Sequence, residues 1–183
     1  MVRGSTWAWC TSVTFNAPLR KLVLLLHVIS SVGFLGAVVT FLALAIIGLS
    51  GDAEAQRSAY MVMPALTWGV IVPLAATTLT VGVVQSLGTL WGLFRYYWVI
   101  VKLVLTVIAL IVLLIQTTTI SQLASAAANG TLAAATSGRF AIVLHAAGGA
   151  VVLVIATILS IFKPRGMTRY GVRAVEVESR RLA

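Results

Sequence analysis

The run from Leu22 to Leu49 reads LVLLLHVISSVGFLGAVVTFLALAIIGL, 28 residues with no formal charge. A helix needs about 20 apolar residues to cross the hydrocarbon core of a bilayer, so this run is long enough to span it. Three further runs follow the same pattern. Met61–Val84 is uncharged over 24 residues, Trp98–Ile120 carries a single charge at Lys102, and Phe140–Phe162 carries none. The segments between the runs are too short for a soluble domain. The expected architecture is all-α: a polytopic membrane protein folded as an antiparallel up-down four-helix transmembrane bundle. Its spans fall at 22–49, 61–84, 98–120 and 140–162, with a leader over 1–21 and a basic tail over 163–183.

Composition supports this reading. Of 183 residues, 60% are hydrophobic and 9% are charged, and the mean hydropathy is +1.06. An ordinary globular chain is about 25% charged, so a soluble enzyme and a disordered chain are both excluded. A single cysteine, Cys10, excludes a disulfide framework and multi-cysteine metal centres. The net charge of +9 would suit nucleic acid if it were gathered on one soluble face, but it lies at the borders of the apolar runs. Arg3, Arg20, Lys21, Arg95, Lys102 and six cations from Lys163 to Arg181 make eleven on one side, against Arg57 and Arg139 on the other. Cytoplasmic segments carry the excess of Lys and Arg, so both termini are expected inside the plasma (inner) membrane. Ala43-Leu44-Ala45 resembles a signal-peptidase site. However, a signal h-region is about 7–15 residues long, shorter than this run, and an uncleaved span is expected.

The connections read as interfacial. Trp91, Phe94, Tyr96, Tyr97 and Trp98 surround Arg95 in the inner turn, an aromatic belt at headgroup depth. The outer segment Ser121–Gly138 is rich in Ala and predicts that spans 3 and 4 continue past the membrane as a helical hairpin, broken at Asn129-Gly130 and restarted by a Thr131 cap. The cations of the tail suit anionic headgroups, at about 1 kcal/mol each near the surface. Partners are therefore expected to be the lipid bilayer and a membrane protein or a second copy, with no nucleic acid.

Leucine burial does not drive helix association in lipid, whereas close approach and polar contacts do. Small and polar stripes therefore predict the inner faces. These are Ser30, Gly33, Gly36, Ala37 and Thr40 in span 1; Gly69, Pro73, Thr77 and Thr80 in span 2; Lys102, Thr106, Ala109 and Gln116 in span 3; and His145, Gly149, Ala156 and Ser160 in span 4. Pro73 deprives the Gly69 carbonyl of its helical partner and predicts a kink.

Ionisable groups inside a membrane are functional candidates by default. Here they are His27, Lys102 and His145, while all four carboxylates lie outside the spans. No acid pair, Ser/His/Asp set or phosphate-binding glycine loop is present, so a non-enzymatic protein is expected. His27 and His145 lie on opposite sides of the midplane, roughly 20 Å apart at helical rise, and cannot both ligate one iron. The candidate cofactor site is therefore an outer one at His145 and Gln116, with His27 as a separate candidate. Met61 and Met63 begin span 2 on the same side as His145, and thioether with imidazole suits copper. Haem and copper are the cofactors considered, with none as the leading expectation.

The stretches LRKLVLLLHVISSVGFLGAVVTFLAL (19–44), WGLFRYYWVIVKLVLTV (91–107) and LHAAGGAVVLVIATILSIFKPRGMTRYG (144–171) resemble an uncharacterised actinobacterial family of four-span integral membrane proteins. The resemblance covers Pro18 to Gly171 and implies fold and membrane location. His27 and His145 match histidines of that pattern, and Gln116 stands where another histidine is expected, which departs from a metal or haem set. His27 followed by Gly33 and Gly36 is also similar, more loosely, to membrane proteins of the copper-resistance D type. The leading functional expectation is an accessory, assembly or transport-associated subunit. A small haem- or copper-binding membrane protein and an oligomeric transporter of a small apolar substrate are the alternatives.

Overall fold

The computed structural model describes residues 16–88, 96–162, 166 and 168. Residues 1–15 of the leader, with Trp7, Trp9 and Cys10, residues 89–95 of the inner turn, and the tail cations lie outside the described residues; residues 17–21 of the leader belong to the first helix.

Helix α1 (Ala17–Ser50) starts where the Asn16 side chain accepts from the Leu19 N–H at 3.3 Å, with Pro18 in the first turn. It stops at Gly51. One residue later, Asp52 caps α2 (Ala53–Leu66) by accepting from the Ala55 N–H at 2.8 Å, and Glu54 lies at the positive end of the helix dipole. The segment Ser50–Tyr60, read from sequence as an outer loop, is thus mostly the first turns of a helix, because its acids sit where a helix start favours them.

A π-turn over Thr67–Ile71 joins α2 to α3 (Val72–Leu87), with the Val72 N–H donating to the Thr67 carbonyl. The expected disruption ahead of Pro73 therefore takes the form of a widened turn inside a continuous helical span, a common answer to a broken i→i−4 ladder. Helix α4 (Tyr97–Ala128) ends at Gly130, whose φ of +72° is the left-handed cap conformation. The Thr131 N–H returns to the Ala126 carbonyl at 2.9 Å, so Thr131 closes α4 rather than opening the next helix. A 3₁₀ turn over Leu132–Ala135 leads into α5 (Thr136–Phe162). The predicted hairpin beyond span 3 is present.

Four helical segments, 17–50, 53–87, 97–128 and 136–162, are long and apolar enough to cross a membrane. They form an up-down four-helix bundle in which α1 packs on α3 and α5, α2 packs on α1 and α4, and α4 packs on α5. The terminal end of the bundle carries Ala17, Leu87, Tyr97 and Phe162. The distal end carries Ser50, Asp52, Ala128 and Thr136. The core runs through Phe34, Phe41, Tyr60, Met63, Ile71, Leu123 and Ile142.

The small-residue stripe of span 2 does not face this core. Gly69, Pro73, Thr77 and Thr80 are exposed, and Thr67, Ile71, Ala75 and Thr78 are buried in their place. In span 1, Gly36 and Thr40 are likewise exposed. The reason is local satisfaction. The Thr80 hydroxyl donates to the Ala76 carbonyl at 2.8 Å and Thr40 to Gly36 at 3.0 Å, so neither needs a partner from another helix.

The distal end is closed by one contact set. Gly48 lets the Tyr60 ring lie directly on α1; a Cβ there would stand 2.7 Å from Tyr60 Cζ. Arg139 Nη2, from α5, donates to the Gly48 and Leu49 carbonyls at 2.7 and 3.1 Å, and its guanidinium lies 6.0 Å from the Tyr60 ring centroid. Arg139 thus satisfies end carbonyls of α1 and places positive charge at the negative end of that helix. Gly48→Ala is expected to destabilise by about 1–3 kcal/mol through overpacking. Arg139→Leu is expected to cost about 1.5–3 kcal/mol by stranding those carbonyls. Thermal unfolding of detergent-purified protein measures both, and their effects should fail to add because Arg139 bonds the Gly48 carbonyl and borders the ring that Gly48 admits.

Candidate functional site

His145 and Gln116 come together. They sit on neighbouring helices α5 and α4, and His145 Nδ1 lies 2.6 Å from Gln116 Nε2. The same Nδ1 lies 2.6 Å from the Ala141 carbonyl one turn earlier. A carbonyl only accepts, so Nδ1 must carry the proton. The Gln116 amide then turns its oxygen to the ring and its NH₂ towards Thr119 Oγ1, which lies 3.3 Å from the atom placed as Oε1. Under this assignment Nε2 of His145 is an unprotonated acceptor on a residue exposed at the flank of the bundle.

This pair lies in the wall of an apolar cavity of about 290 Å³ between α1, α4 and α5. Phe34, Phe41, Leu105, Ile142 and Val152 supply much of the lining, and Gly148 and Gly149 open it by having no side chains. A Cβ on Gly148 would meet nothing within 4 Å. Ile108 and Leu144 line the cavity and are 52% and 60% exposed, so it reaches the outer face of the bundle between α4 and α5.

The methionines do not join this site. Met61 is 49% exposed and Met63 is fully buried in the core. Residues two apart on a helix project about 200° apart, so one face cannot present both. Among the described residues no group of three or more His, Cys, Asp or Glu side chains could hold a metal.

His27 belongs to a second, polar cavity of about 140 Å³ at the terminal end, between α1, α3, α4 and α5. Gly82 admits its ring; a Cβ there would lie 3.0 Å from His27 Cε1. Lys102, from the first turns of α4, lines the same cavity, and its Nζ donates to Ser160 Oγ at 3.1 Å and stands 5.5 Å from the Trp98 ring centroid. Thr78 and Gln85, which the expected inner stripe of span 2 leaves out, share the cavity wall with His27 and Lys102. Thr78, Gly82 and Gln85 are spaced i, i+4, i+7, the signal of one helix face. The two cavities share Leu153, which is 8% exposed.

No family model, curated protein or solved structure matches this chain.

Nitrogen-15 spectra of histidine-labelled protein should show His145 as the Nδ1–H tautomer. Gln116→Ala should leave that tautomer in place, held by Ala141 alone. A dominant Nε2–H form in the parent protein would overturn the assignment.

Proposed function

We propose that the protein is a non-enzymatic, transport-associated subunit of the plasma membrane that takes a lipid-soluble molecule with a hydrogen-bonding head into the cavity between α1, α4 and α5. The observation that carries this reading is the combination of an apolar cavity reaching the bundle's outer face with one polar pair, Gln116 and His145, in its wall. Ligand cavities are mostly apolar, with a few polar groups that fix orientation. Here the free Nε2 of His145 would accept from a hydroxyl head, and the apolar wall would take the body of the molecule. Entry from the bilayer core needs no aqueous path, because the cavity lies between two helices apolar enough to be lipid-facing.

Both termini are cytoplasmic in this reading, with the basic tail on anionic headgroups and a membrane-protein partner or a second copy alongside. The charge asymmetry along the sequence supports that orientation. It also accords with the resemblance to the four-span actinobacterial family.

A second reading, a haem- or copper-binding protein, rests on the same free Nε2, since metal-bound histidines commonly donate their other N–H to a carbonyl. A bound haem would supply redox chemistry, and His145 would hold it through Nε2, with Ala141 and Gln116 fixing the imidazole. Copper would find His145 without Met61 or Met63 beside it.

Purification from native membranes followed by mass spectrometry of the extracted small molecules tests the first reading. A lipid-soluble compound should accompany the parent protein and be lost from Gly148→Leu, which fills the cavity without meeting a neighbour at Cβ. Equal retention by that variant would refute it. A Soret band or stoichiometric copper, removed by His145→Ala, would favour the second. For topology, cysteines placed at Arg57 and Arg181 in a Cys10→Ser background should react with an impermeant reagent from opposite sides of the membrane.

A further inference from the structure

The terminal-end cavity holds three buried polar atoms with no hydrogen-bond partner: His27 Nδ1, Thr78 Oγ1 and Gln85 Oε1. Buried polar groups are normally satisfied, and each exception needs an explanation. Thr78 is 7% exposed. The span threonines Thr40, Thr67, Thr80, Thr106 and Thr157 each donate to the carbonyl four residues earlier, whereas Thr78 makes no such bond. His27, Thr78 and Gln85 line the same small cavity, so these groups are contiguous.

Among the described residues, Lys102 is the one cationic side chain besides the His27 imidazole in the same wall. An ammonium has three donors, and here one goes to Ser160 and the Trp98 ring partly covers the charge. The acids among the described residues, Asp52 and Glu54, lie at the opposite end of the bundle. A cation held inside an apolar bundle with no countercharge among the described residues is costly. Water could satisfy the three orphaned atoms but would bring no countercharge.

We propose that this cavity is a binding site for an oxyanion, a carboxylate or phosphate group, held by Lys102 Nζ with hydrogen bonds donated by the Thr78 hydroxyl and by the ring N–H of His27 or, with its amide turned, the NH₂ of Gln85. The site is independent of the apolar cavity and of the function proposed for it. Its volume of about 140 Å³ suits a group of a few heavy atoms, and such a group has two sources, a small soluble acid or the headgroup of an anionic lipid. Leu79, Val83, Leu103 and Leu153 form its apolar wall and would shield the pair from water.

The full chain in nanodiscs of phosphatidylcholine provides the test, with thermal unfolding followed as sodium acetate or sodium phosphate replaces sodium chloride at constant ionic strength. A second set of discs contains phosphatidylglycerol. A saturable rise in midpoint with the soluble anion identifies a small acid. A rise with phosphatidylglycerol, to which soluble anion adds nothing, identifies the headgroup. In either case Lys102→Arg should keep the effect and Thr78→Val should weaken half-saturation by about tenfold, the size expected for one lost charge-assisted hydrogen bond. Lys102→Met should abolish it. If Lys102→Met does not fold, Thr78→Val and Gln85→Leu give the reading. The proposal fails if neither anion source shifts the parent protein, leaving a water-filled cavity, or if the shift is unchanged in Thr78→Val and Gln85→Leu.

Discussion

Hydrocarbon offers no hydrogen-bond partner, so every polar atom carried into a bilayer must find one within the chain. That constraint accounts for most of the features that depart from four plain helices. Serines and threonines along the spans turn back onto their own helices. The span interrupted by Pro73 keeps its backbone engaged by widening one turn. Arg139 is spent on the end carbonyls of a neighbouring helix, although its charge alone would place it simply at a water boundary. The constraint is left unmet at single atoms of Tyr60 and Arg139 at the distal end, and at three contiguous groups around a cation in the terminal-end cavity, which makes that cavity the chemically informative place in the bundle.

The two cavities divide the molecule by polarity. The one nearer the distal end is apolar with a single polar pair at its edge, and the one at the terminal end is polar with a cation inside. Leu153 belongs to both walls. The histidines fall one to each, as their depths along antiparallel spans require, and so serve different environments.

Much of this was legible in the sequence, and the exceptions have identifiable causes. Span number and the hairpin beyond span 3 followed from run lengths and from Asn129-Gly130, because charge and left-handed caps are local signals. The meeting of Gln116 with His145 followed from matched depth on adjacent spans. The inner face of span 2 did not follow. Small and hydroxylated residues suggest an inward face, but a threonine bonded to its own helix is nearly apolar to its surroundings, as Thr80 and Thr40 are. The Met61 and Met63 pairing failed on geometry already present in the spacing, since two residues do not share a helix face. Thr78 and Gln85 escaped notice because nothing in sequence distinguishes a threonine that back-bonds from one that does not.

The widened turn at Thr67–Ile71 also acts as a phase spacer. Helix α2 must set Tyr60 against Gly48, and α3 must set Gly82 against His27, yet both belong to one continuous rod pressed on the same face of α1. The i→i−5 bond from Val72 to Thr67 takes up one residue more than an α-turn, so regular winding over the same residues would rotate one half against the other by about 100°, and only one of the two glycine contacts could survive. Excision of one residue within 67–71 would let the turn revert to regular winding with both halves still in register, so this stretch tolerates a change of length that the helices on either side of it would not.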